Sequence, residues 1–178
     1  NQSDLSLIEK NFNISKIVSF SGIKKGIENT NYLIKTDKKK IILTIFEKRV
    51  QKRDLPFFMN LMFGLSKNNI KCPEPIKNKK GKYLFKIKNK TACLVSFLEG
   101  KDKNQLTNKD CFQVGKNAAL LHLAAKKLRL HRKNSLSVSS WGPLLNRIDK
   151  RINKLSNNLI KTMKTDLIDI KKKWPKNM

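Results

Sequence analysis

Between Lys16 and Arg49 three β-rich runs follow one another, residues 16–22, 30–36 and 40–47, with a turn after each of the first two. Runs this short, rich in isoleucine, leucine and aromatic residues and broken by Gly, Asn and Asp, read as antiparallel neighbours. In the third run Ile41, Leu43 and Ile45 share one face and Ile42, Thr44 and Phe46 the other, because side chains alternate along a strand. Both faces are largely apolar, so this strand is expected at the centre of a sheet. The first turn holds Gly22 and Gly26 amid Ser21, Asn29, Thr30 and Asn31. Glycine lets backbone N–H groups approach an anion, and small hydroxyl and amide side chains add donors, so such a loop can cover phosphates. An ordinary hairpin with solvent-facing lysines fits the same spacing, and two glycines do not decide between them.

The remaining chain continues the sheet and then changes character. Residues 3–11 read as a short helix capped by Ser3, with Leu5 and Ile8 on one face, expected to pack on the sheet edge. Asp54 is a candidate N-cap, Leu55 and Pro56 fit a first turn, and a helix to Asn68 places Phe58, Leu61, Met62 and Leu65 on one stripe. The prolines at 73 and 75 demand extended chain. Residues 83–88 and 91–98 then form a second hairpin around Asn89 and Lys90, which makes five antiparallel strands with one helix inserted after the third. Glu99 to Asp102 breaks the pattern, and from Thr107 onward the sequence reads helical. This sets an expected lobe boundary, with residues 1–99 as one lobe and 100–178 as the start of another. A helix over 107–129, roughly 33 Å long at the α-helical rise, aligns Val114, Ala118, Leu121, Ala125 and Leu128 as an expected buried stripe, where Leu121→Ala is expected to cost about 2 to 5 kcal/mol in the intact protein. His122 beside it reads as a structural histidine, and His131 as exposed. Further helices are expected over 141–155 and 157–173, the first with Ile148, Ile152 and Leu155 on its apolar face, the second stopped by Trp174-Pro175.

Charge bears on partners. Forty basic residues against 13 acidic give +27, which alone points to nucleic acid or an anionic surface. Nearly all of the excess is lysine scattered from end to end, and the six arginines are not interleaved with aromatics. Nucleic-acid readers rely on arginine forks and stacked rings, so a solvated lysine-rich surface is the favoured reading and no specific nucleic acid is expected. Cys72, Cys93 and Cys111 are odd in number and lack paired metal spacing. They read as reduced thiols, Cys93 and Cys111 as small core residues. With no membrane-length apolar run and no signal-peptide pattern, a cytoplasmic location without a membrane partner is expected.

Several stretches taken together carry a resemblance. They are Ser21-Gly22-Ile23 with Gly26-Ile27-Glu28-Asn29-Thr30-Asn31-Tyr32, then Ile42 through Val50, Asp54-Leu55-Pro56-Phe57-Phe58, and Cys72-Pro73-Glu74-Pro75-Ile76. Ser96-Phe97-Leu98-Glu99-Gly100, Val114-Gly115-Lys116 with Leu121-His122, and Trp174-Pro175-Lys176-Asn177 follow in order. The chain resembles one branch of the aminoglycoside phosphotransferase and choline kinase superfamily, the bacterial homoserine kinases. The resemblance implies an α+β fold: a protein-kinase-like small lobe, a five-stranded antiparallel sheet plus helix, followed by the first helices of a mainly α large lobe. It implies ATP-dependent phosphorylation of the hydroxyl of L-homoserine, in threonine biosynthesis, with ATP and Mg²⁺. By the same resemblance Gly22, Gly26, Asn29, Thr30 and Asn31 would cover the phosphates, and the backbone of Ser96, Phe97 and Leu98 would meet the adenine edge.

Two departures bound that implication. Kinases usually place a lysine on the third strand to hold phosphates, paired with a glutamate on the next helix. Here Thr44 takes that position and the helix has no glutamate, so Lys24 or Lys25 is the candidate replacement cation. The loop that in this superfamily carries the catalytic base and a metal ligand does not occur. No catalytic or metal-binding residue is therefore expected within this chain. Those are expected beyond Met178, the chain is expected to be an N-terminal fragment, and by itself it is expected not to transfer phosphoryl groups. The alternatives are another small-molecule kinase of choline or aminoglycoside type, and a basic nucleic-acid-binding protein.

Overall fold

The five β-rich runs form one antiparallel sheet in a computed structural model that describes residues 2–24, 28–47, 50–148 and 158–175. Its strands are β1 (Ile17–Ile23), β2 (Asn29–Thr36), β3 (Lys40–Phe46), β4 (Leu84–Ile87) and β5 (Lys90–Ser96), in the order β1-β2-β3-β5-β4. As its two-sided apolar pattern requires, β3 is central, pairing with β2 through Asn31↔Thr44 and with β5 through Thr44↔Cys93. Two helices accompany the sheet, α1 (Gln2–Asn11) and α2 (Leu55–Lys67). Their partners follow from strand alternation: Ile8 and Phe12 pack with Ile34, Ile41, Leu43 and Leu94, while Met59 packs with Cys93 and Val95.

Local chemistry corrects several expectations here. Helix α1 lies over a face of the sheet, not its edge, because Ile8 and Phe12 are fully buried against the β3 and β5 side chains of that face. Ser3 is the second residue of α1, not its cap. The tight turn of the second hairpin is Lys88–Asn89, one residue earlier than read, since Ile87 pairs with Lys90. Both turn residues take positive φ, 46° and 65°, as a two-residue hairpin turn that matches strand twist requires. Asp54 occupies the N-cap position of α2 without a side-chain cap hydrogen bond. The deepest residues of α2 are Leu55, Met59 and Leu65. The buried stripe is thus rotated toward Met59, which sits between Leu55 and Met62 at helical spacing.

By its internal contacts the chain divides into residues 1–131 and 132–178. In the first unit, α3 (Asn108–Lys127) starts at a capping box: Asp110 N–H donates to Thr107 Oγ1, and Thr107 N–H donates to the Asp110 carboxylate at 2.8 Å. Hydrogen bonds from Lys103 and Thr107 hold the Asp110 carboxyl below its usual range. The expected buried stripe on this helix is not buried: Val114 is 66% exposed and Leu121 37%, and only Ala124 is deeply covered. At 37% exposure Leu121 is not enclosed, so Leu121→Ala creates no closed cavity in this chain. Leu128 does find a partner. It packs on α2 at Gly64, where an added Cβ would stand 2.6 Å from Leu128 Cδ1, so glycine is what lets the two helices meet. Exposed Cys111 on α3 corrects its reading as a core residue, and both His122 and His131 are exposed.

The second unit contains α4 (Val138–Asn146) and α5 (Leu159–Lys173). Their apolar sides meet around Leu145, Met163, Leu167 and Ile170, and Trp141 packs edge-on against Trp174 at 5.8 Å. Extended backbone at Trp174, ahead of Pro175, ends α5 as read. Ile152 and Leu155 of the expected 141–155 helix fall outside the described residues.

Candidate functional site

The sheet face that carries α2 opens into a cleft of about 560 Å³, within the range of small-molecule sites. Alternation builds one wall: Ile42, Thr44 and Phe46 of β3 stand beside Cys93 and Val95 of β5. Helix α2 supplies a second wall through Phe58, Met59 and Met62. Ser96, Phe97 and Leu98 close one end. Ser96 is fixed by two hydrogen bonds with Glu74, its N–H donating to Glu74 O and its Oγ accepting from Glu74 N–H, each 2.9 Å. Phe97 and Leu98 run past the last ladder pair, Ile41↔Ser96, so their backbone groups are free of that ladder.

Against these apolar walls stands a short neutral polar row. Thr44 Oγ1 donates to Asn31 Oδ1 across the β2–β3 pair at 2.8 Å, which leaves the Asn31 amide N–H groups as donors. Asn29, two residues along the same strand face, has a buried Oδ1 with no hydrogen-bond partner among the described residues. Leaving a buried acceptor unmet costs about 1 to 3 kcal/mol, so the cleft as it stands lacks a donor at this point. Among the described residues no charged side chain lines it. An apolar slot with a free-ended strand at one side and neutral donors and acceptors at the other fits a flat heteroaromatic base. Among the described residues no group of three His, Cys, Asp or Glu side chains is placed to hold a metal ion.

Of the eleven residues singled out from sequence, the cleft brings together Asn29, Asn31, Thr44, Ser96, Phe97 and Leu98. Thr30 faces the opposite side of the sheet and donates to Glu47 Oε1 at 2.9 Å. Gly22 pairs with Tyr32 on that same opposite side, where a Cβ would meet nothing closer than Tyr32 Cε1 at 3.9 Å. Lys24 is exposed just beyond β1. Lys25 and Gly26 lie outside the described residues. The sequence reading missed the apolar half of the site, above all Met59, Met62, Cys93 and Val95. The available signal was alternation: residues two apart on β3 and β5 share the face on which Thr44 stands.

Burial pushes the Cys93 thiol up to about 12, so at pH 8 its thiolate fraction is on the order of one in ten thousand. In the folded chain iodoacetamide at pH 8 should therefore alkylate exposed Cys111 and spare Cys93, with both reacting in urea. Peptide mass mapping checks this, and equal native labelling of the two would show that the cleft floor is open.

The sequence model of a family described as "Phosphotransferase enzyme family" matches residues 19–175. The chain is 36% identical over 167 residues to a homoserine kinase of Parvibaculum lavamentivorans, covering 94% of this chain and 52% of that protein. It is 36% identical over 178 residues to a homoserine kinase of Allorhizobium ampelinum, covering 100% and 56%. The chain spans about half the length of the curated relatives it matches. Among solved structures it is similar to a spectinomycin phosphotransferase in complex with ADP and spectinomycin, with a TM-score of 0.67, 18% identity, and coverage of 98% of this chain and 59% of that one. A microcompartment-associated aminopropanol kinase gives a TM-score of 0.60 at 13% identity, covering 79% and 48%. At such identities the likeness concerns the fold.

Proposed function

The chain belongs to the phosphotransferase enzyme family, and from that premise we propose that it is the nucleotide-binding part of an ATP-dependent kinase acting on the side-chain hydroxyl of L-homoserine. The observation that carries the nucleotide reading is the cleft, whose apolar β3, β5 and α2 walls stand beside a neutral polar row with an unmet acceptor at Asn29. The acceptor reading rests on relatives named homoserine kinase that match 94% or more of this chain.

In this reading the adenine edge meets the backbone of Ser96, Phe97 and Leu98, and its faces meet Ile42, Val95 and Met62. The segment from Gly22 to Asn31, with Lys24, Lys25, Gly26 and Thr30, covers the phosphates. Thr44, hydrogen-bonded to Asn31, stands where kinases of this general fold carry a cation. Phosphate charge is then met by lysine from the covering segment, not from the third strand. Residues 1–99 form the nucleotide lobe and 100–178 the first helices of the acceptor lobe. In this reading no described residue serves as the catalytic base or as a Mg²⁺ ligand, and the protein works in the cytoplasm. When bound, Mg²⁺ supplies charge neutralisation at the phosphates.

Calorimetric titration of this chain with a non-hydrolysable ATP analogue should show one saturable site. Titration with single-stranded RNA at two salt concentrations tests the competing class. Tight RNA binding with a steep salt slope and no nucleotide affinity would overturn the kinase reading. Turnover of L-homoserine, choline and an aminoglycoside by the product of the full reading frame then separates the acceptors.

A further inference from the structure

Helix α2 is held from two sides. On the cleft side Met59 is buried against Cys93 and Val95, and Phe58 and Met62 line the cavity. At the α-helical turn of about 100° per residue, Gly64 lies roughly 160° around the helix from Met62, on the side turned away from the cleft. There Leu128, the residue that ends α3, packs on the bare backbone: a Cβ added at Gly64 would stand 2.6 and 2.7 Å from its two δ-carbons and 3.2 Å from Cγ. Leu128 is itself fixed, since its N–H donates to Ala125 O at 3.0 Å and Arg129, at φ 50°, ends the helical geometry directly after it. Ala124, the deeply buried residue of α3, lies one turn earlier on the same side.

The backbone thereby makes a circuit around the cleft. It leaves β5 at Ser96, closes one end of the cleft with Phe97 and Leu98, and passes through residues 99–107 into α3, whose far end returns to α2. Helix α3 bears on two walls in this way, although none of the described residues lining the cleft belongs to it. With Leu128 at its back, α2 cannot withdraw from the strands it faces. Without that side chain it can, and molecules with a withdrawn wall bind poorly, which lowers the apparent affinity by the competent fraction. We propose that the Gly64–Leu128 joint is a positioning contact, which sets the separation of α2 from the β3 and β5 wall and so couples the placement of α3 to nucleotide affinity. The proposal rests on the nucleotide reading of the cleft. Because such coupling is reciprocal, a nucleotide that fixes α2 also restrains the end of α3.

Hydrogen exchange of the 178-residue chain, with and without a saturating non-hydrolysable ATP analogue, reads the coupling directly. The analogue should slow exchange at the α3 amides nearest Leu128 and leave those of the first turn after Thr107 unchanged. In Leu128→Ala, with folding checked by circular dichroism, calorimetry should show the analogue bound about fivefold to tenfold more weakly, as when a fifth to a tenth of the molecules hold the competent wall. The slowing in α3 should vanish with it. Leu128→Met keeps the backing and should bind like the unsubstituted chain. Adding Gly64→Ala to Leu128→Ala returns a methyl group to the emptied space and should recover part of the affinity, whereas Leu123→Ala, at a site 62% exposed, should change nothing. A contact of structural weight only would lower the urea midpoint of Leu128→Ala and leave its affinity intact. That result, or exchange in α3 of the unsubstituted chain indifferent to bound analogue, would overturn the joint. No analogue binding by the unsubstituted chain would instead overturn the nucleotide reading, and the joint with it.

Discussion

Leu94→Ala is expected to destabilise the chain by about 2 to 5 kcal/mol, the range for leucine truncation in a closed core. Leu94 is fully buried in β5, pairs with Leu43 across β3, and belongs to the cluster that includes Ile8, Phe12 and Ile34. Truncation removes contacts that neither strand can move to replace, since each is held by a ladder on its other side as well. Domains of this size have about 5 to 15 kcal/mol in total, so roughly an eighth of the margin is at stake at the least, and all of it at the most. Urea unfolding followed by circular dichroism should show a lower midpoint with little change in slope. Leu121→Ala serves as the contrast, because its site on α3 is 37% exposed, and its shift should stay within about 0.5 kcal/mol. Equal shifts for the two variants would refute the burial assigned to the sheet.

Ile42→Trp should weaken binding of an ATP analogue on the order of 100-fold or more, equivalent to about 2.7 kcal/mol of binding free energy. Ile42 lines the cleft from β3, directly opposite Val95 on β5 and on the same face as Thr44. An indole at that position enters the space assigned to the base, and the ladders on both sides of β3 prevent the strand from retreating. Overpacking of this kind costs about 1 to 3 kcal/mol of stability, so the folded fraction is checked by circular dichroism before calorimetry. Thr44→Val tests the polar row separately: it removes the hydroxyl that donates to Asn31 while adding little volume, and should weaken the analogue by less than Ile42→Trp does. An Ile42→Trp chain that is folded and binds the analogue with unchanged affinity would remove the cleft from consideration as the nucleotide site.

Much of the candidate site was legible before any coordinates because a strand's side-chain period is a local property. Assigning 40–47 to β3 already separates Ile42, Thr44 and Phe46 from Ile41, Leu43 and Ile45, and the two sets do face different layers. The same rule, carried to β2, splits the loop reading. Asn29 and Asn31 reach the cleft while Thr30 between them faces α1, because β2 already begins at Asn29. Treating residues 22–31 as one phosphate-covering unit obscured that division.

By itself, then, the sequence determined the order of elements, the central place of β3, the two sides of that strand and the polar residues of the cleft. These depend on periodicity and turn chemistry over a few residues. Tertiary structure alone decided what covers each side. Periodicity shows that Val114, Leu121 and Leu128 share one side of α3, yet Val114 and Leu121 stay exposed while Leu128 packs at Gly64. Likewise α1 reads as a short amphipathic helix bound for the sheet edge, and its place over a sheet face creates a second cavity that no local pattern announces. A helix specifies which residues it offers for burial. Whether they are buried is fixed by partners distant in sequence, whose approach depends on shape and volume summed over many side chains.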